Sequence, residues 1–79
     1  MYIYALSYRN PHEDTRPFVL FLAAERLLSA SEAISAAVET VRGDALGNEW
    51  VDAVSDGSLC GPLEVEGTLR QPTFAIMVD

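Results

Sequence analysis

Lysine is missing altogether from this 79-residue chain, and cysteine, histidine and tryptophan each occur once. Each scarcity closes off a class of function. A single cysteine, Cys60, excludes an internal disulfide and a metal centre built on several thiolates. Without lysine, five arginines oppose twelve acids and the net charge is −7, which disfavours nucleic acid as a direct ligand, because phosphate binding needs Lys and Arg to displace counterions. Tyr2, Tyr4 and Tyr8 could stack bases, but the backbone that accompanies those bases would be repelled, so sheet packing is the better reading. The longest uncharged apolar run, Phe18 to Ala24, is far below a membrane span, and no basic leader precedes Tyr2, Ile3 and Tyr4. A soluble protein of the cytoplasm is expected.

Catalytic signatures are absent as well. His12, Glu13 and Asp14 stand together without a second ligand cluster, so a solvated loop is expected there and no metal site. Ser7, Ser55 and Ser58 lack a nucleophile-elbow context, and Gly57, Gly61 and Gly67 lack both the spacing and the following lysine of a phosphate-binding loop. The expectation is a protein that is not an enzyme and holds no cofactor.

What is present is a foldable, single small domain over residues 1–79. Apolar residues make up 49% of the chain and are interleaved with polar ones, not segregated into tracts. From Ser29 to Gly43 the pattern is helical: Ser29 and Glu32 have capping-box spacing, Arg42 suits the C-terminal dipole, and Gly43 suits a left-handed stop. At 100° per residue Ala30, Ala33, Ile34, Ala37, Val38 and Val41 share one arc, with Glu32 and Glu39 pointing away. A helix over about 30–42 is too short to stand alone and must lie on a sheet.

The rest reads as strands and turns. Tyr2 to Tyr8, YIYALSY, alternates as an inner strand, and Arg9 to Pro17 is a proline-bearing connection. Phe18 to Ala24, FVLFLAA, is apolar throughout, as for a strand covered on both faces or at a sheet centre. After a turn in which Gly47 and Asn48 are expected at positive φ, Trp50 to Val54 reads as a short strand, with a helical turn competing. Leu63 to Leu69 alternates with Leu63, Val65 and Leu69 inward and Glu64, Glu66 and Thr68 outward; after a turn at Arg70, Gln71 and Pro72, Thr73 to Val78 places Phe74, Ile76 and Val78 inward. The order β, β, α, β, β, β implies an α+β domain: one mainly antiparallel sheet of four or five strands with one main helix on one face.

Charge is unevenly distributed. Up to residue 30 three arginines balance three acids, so residues 31–79 carry the whole −7. That field favours a basic partner surface. The candidate contacts are Glu32, Glu39, Glu49, Asp52, Asp56, Glu64 and Glu66, with Arg9, His12, Glu13 and Asp14 as a secondary loop contact. On a strand, Glu64 and Glu66 would share a face about 6.7 Å apart, and on a helix Glu32 and Glu39 about 10.5 Å, spacings that imitate a phosphate ladder.

The YIYALSY and FVLFLAA strands, the SASEAISAAVETV helix and the acidic stretch from Glu32 to Asp79 resemble the anti-CRISPR proteins of phages and mobile elements, and among them an inhibitor of a type I-C system. The resemblance implies a stoichiometric DNA mimic that occupies the Lys/Arg-lined DNA path of a Cascade-type surveillance complex and blocks target binding; a monomer is expected over a dimer. The alternative is a small acidic regulatory or antitoxin-like module that binds another basic protein.

Overall fold

The computed structural model describes residues 1–12, 17–43, 47–70 and, as backbone, 73–78. Six elements follow in order: β1 (Tyr2–Arg9), β2 (Pro17–Ala24), α1 (Ala30–Gly43), α2 (Asn48–Ser55), β3 (Ser58–Glu64) and β4 (Thr73–Val78). The domain is α+β, as expected, but it has two helices where one was expected, and Trp50–Val54 is part of α2, not a strand. Every neighbouring pair of strands is antiparallel. β1 lies between β3 and β2, and the backbone of β4 adds to the other side of β2, giving the order β3-β1-β2-β4.

One parity of the strands makes the core. Tyr4, Leu6 and Tyr8 of β1 and Leu20, Leu22 and Ala24 of β2 are buried together with Ala33, Ala37 and Val41 of α1 and Val54 of α2. Cross-strand partners such as Tyr4 and Leu22, or Leu6 and Leu20, share this face. Both helices therefore cover the same side of the sheet. Of the apolar stripe expected on α1, Ala33, Ala37 and Val41 are buried, Ile34 and Val38 are half-buried, and Ala30 is exposed at the first turn.

Two junctions hold the helices. The buried hydroxyl of Tyr4 donates to the Leu28 carbonyl at 2.9 Å and accepts from the Leu28 N–H at 2.8 Å, which anchors the chain just before α1. Trp50 of α2 meets Phe18 at 5.9 Å and Tyr8 at 6.3 Å between ring centroids, and Tyr8 meets Phe18 edge-on at 6.0 Å. Such aromatic pairs contribute about 0.5–1.5 kcal/mol beyond burial, which suits α2, a helix too short to persist alone.

The α2–β3 connection is tight: a Cβ on Gly57 would lie 2.7 Å from the Ser7 carbonyl oxygen. Further along β3, Ala5 is opposite Cys60 but Ile3 is opposite Leu63, so β3 holds one extra residue there. Gly61, at φ 114°, sits in this bulge. Because side chains alternate, one extra residue reverses every later orientation. Leu63, expected inward, is 63% exposed, and Glu64, expected outward, shares the helix side with its partner Tyr2.

Other turn expectations also change. Gly47 has φ −70° and caps α2 in extended conformation, Asn48 is already helical, and Gly43 closes the last turn of α1 without a left-handed φ. The turn at Gln71 and Pro72 and the inward side chains expected at Phe74, Ile76 and Val78 lie outside what is described. Among the described residues no helix is long and apolar enough to cross a membrane.

Candidate functional site

The seven acids proposed as one surface occupy three separate places. On α1, Glu32 accepts from the Ser29 N–H at 3.1 Å while its own N–H donates to the Ser29 hydroxyl at 3.2 Å, completing the capping box. Arg26 also hydrogen-bonds the Glu32 carboxylate. That guanidinium first, and the Ser29 N–H second, hold the Glu32 carboxyl down at about 2, and the Arg26 pKa rises in return. One turn before the end of α1, Glu39 accepts from Arg42 at 3.1 Å. Both carboxylates are exposed and ion-paired with arginines of the same chain.

Glu64 and Glu66 form the second place. β3 ends at Glu64, and Glu66 falls in a bend beyond it, so the two do not project as a pair from one strand face. Val65 and Met1 exchange backbone hydrogen bonds of 2.9 and 2.8 Å, which fixes this end beside Tyr2. Ser58, next to α2, is opposite Ser7 at the other end of β1. Six residue steps at about 3.3 Å put Glu64 roughly 20 Å from Ser58. Glu64 and Glu66 thus lie at the far end of β3 from α2.

The third place retains its charge. Glu49 and Asp52 of α2 and Asp56, which caps its C-terminal end, stand at i, i+3 and i+7, the first two about 4.5 Å apart in axial rise. With Arg9, Pro11 and Ala53 they line an open groove of about 600 Å³. Arg9 enters it from the end of β1. The chain then turns at Asn10, whose buried side-chain oxygen accepts from the His12 N–H at 2.9 Å. This turn lays the His12 ring against Trp50, 5.5 Å between centroids, with its Nε2 3.6 Å from Glu49. Among the described residues neither Asp52 nor Asp56 is in an ion pair.

Arg9 and His12 of the expected loop contact thus join Glu49, Asp52 and Asp56; Glu13 and Asp14 lie outside the described residues. What the sequence reading missed is that α2 is the element that assembles them. Trp50 and Val54 are four apart, a helical signal that a five-residue apolar stretch with one charge, Asp52, also lets pass as a short strand. Among the described residues no group of three His, Cys, Asp or Glu side chains could hold a metal ion.

Comparison with known proteins returns nothing: no family profile, no curated protein and no solved structure matches this chain.

Proposed function

We propose that this protein acts by stoichiometric binding, presenting the acidic side of α2 to a basic surface of a nucleic-acid-handling complex. The likeness to anti-CRISPR inhibitors makes the DNA path of a type I-C Cascade-type complex the specific target proposed. The observation that carries the reading is the row Glu49, Asp52 and Asp56 beside the Arg9 groove, with Asp52 and Asp56 outside ion pairs among the described residues. An arginine or lysine from a partner entering this groove meets the carboxylates of Glu49, Asp52 and Asp56. Glu32 and Glu39 drop out of the proposed contact, because arginines of the chain already engage them.

The test is binding to purified type I-C Cascade in a series of salt concentrations, with and without target DNA. Affinity should fall as salt rises, DNA should compete, and Asp52→Lys with Asp56→Lys should weaken binding by at least about tenfold while Glu64→Lys with Glu66→Lys does little. Binding indifferent to the α2 reversal removes α2 from the interface. No binding to Cascade, with retained salt-dependent binding to another basic protein, replaces the inhibitor by the regulatory module.

A further inference from the structure

We propose that the helix-free face of the sheet is where two copies of this chain pack against each other. This surface is distinct from the acidic groove and does not depend on the reading given to that groove. Alternation along the strands puts Ile3, Ala5 and Ser7 of β1, Val19, Phe21 and Ala23 of β2, and Cys60 and Leu63 of β3 on the side away from α1 and α2. Phe21 is 42% exposed and Leu63 63%. Arg9, at the very end of β1, has the same parity, but none of the positions named here is charged, in a chain of net charge −7. A central strand such as FVLFLAA, apolar on both faces, is expected to be covered on both. Among the described residues only the Leu20 and Leu22 side is.

The relief of this face suits a copy of itself. Each cross-strand pair between β1 and β2 sets a larger residue against a smaller one: Ile3 against Ala23, Phe21 against Ala5, Val19 against Ser7. On the far side of Ala5 lies Cys60, another small residue. A two-fold axis through the face seats Phe21 of each copy over the hollow at Ala5 and Cys60 of the other, and an interface of this kind must be self-complementary. Aligned sheets that pack in this manner interdigitate their side chains. Four strands about 4.8 Å apart, the longer ones about 26 Å in length, offer roughly 500 Å² per copy and about 1,000 Å² for the pair, where specific interfaces begin.

Charge selects the occupant. An anionic membrane is repelled by the net charge, and an apolar face without acids offers no charge complement to a basic partner. A second copy brings an equally uncharged surface. Back-to-back packing keeps both pairs of helices, with their acids, outward. The remaining repulsion between two chains of −7 each makes added salt favour the pair, opposite to the salt dependence of acidic-groove binding.

Sedimentation equilibrium on the purified chain tests this. The expected mass is twice 8.6 kDa, with the dimer strengthened by salt. Phe21→Asp should return the mass to 8.6 kDa with an unchanged far-UV spectrum, whereas Leu27→Asp, at an exposed leucine between β2 and α1, should leave the dimer intact. A wild-type chain that stays at 8.6 kDa up to millimolar concentration, or a folded Phe21→Asp variant that still dimerises, overturns the proposal. If Phe21→Asp does not fold, the Cys60 thiol reports on the unmodified chain. Its reaction with an aromatic disulfide reagent should slow by about tenfold as protein concentration rises through the dimerisation range. A rate independent of concentration overturns the proposal equally.

Discussion

On α1, Glu32 stands in the first turn, closes the capping box with Ser29 and meets Arg26, and Arg42 stands in the last turn beside Glu39. On α2, Glu49 is in the first turn, but Asp52 and Asp56 run toward a C-terminal end with no basic residue in its last turn. Negative charge is favoured where a helix begins and disfavoured where it ends, so the acids of α1 support their helix and those near the end of α2 work against theirs. Asp52 and Asp56 are also like charges at i, i+4, a further small cost. Acids that destabilise the element carrying them have no account in folding, which is why α2, and not the larger α1, is the place to look for a partner surface.

Removing what anchors each helix should have the largest effect. Trp50→Ala deletes the ring that joins α2 to Tyr8 and Phe18 and should lower unfolding free energy by about 3 kcal/mol in urea denaturation. A loss below about 1 kcal/mol would mean that the aromatic cluster is not what holds α2. Tyr4→Phe strips the Leu28 N–H and carbonyl of their shared partner at a buried site. It should cost about 2 kcal/mol, with α1 amides exchanging faster than those of α2.

Smaller effects sharpen the contrast because they differ in sign. Asp56→Asn should stabilise the fold by a few tenths of a kcal/mol, since it relieves both the dipole and the like-charge pair, whereas Glu32→Gln should destabilise it. Thermal melts of the two variants read this directly, and two shifts of the same sign would erase the distinction between the helices. Acid titration gives the last check. The Glu32 carboxyl is held down to about 2 from an ordinary 4.5 by Arg26 and the Ser29 N–H, so its contribution is complete above about 4.5 and is lost as pH falls toward 2. A carboxyl-carbon NMR titration of Glu32 should show the low midpoint, and Arg26→Ala should bring it back toward 4.5.

The legible and illegible parts of the chain divide at the same place. β1, β2 and α1 could be read because each carries a pattern long enough to be unambiguous: seven alternating residues, seven apolar ones, and a capped stripe of about thirteen. WVDAV is five residues, in which strand and helix patterns both fit, and the contact of Trp50 with Tyr8 and Phe18 decides for helix. The bulge at Gly61 cannot be inferred from alternation, because the extra residue of β3 precedes LEVEGTL, of which only Leu63 and Glu64 belong to the strand. Of the acidic residues, α2 supplies the three that gather, and the separation of Glu64 and Glu66 from them follows from the direction in which β3 runs along β1.

By itself the sequence determined the α+β class, the inner strand β1, the apolar strand β2 and the capped α1, since these depend on periodicity and on neighbours three or four residues apart. Tertiary structure alone decided that Leu63 faces out and that Arg9 and His12 meet the acids of α2. The reason is distance: charge pairing and strand parity are set by groups brought within a few ångströms through the fold, and separation along the chain does not record that.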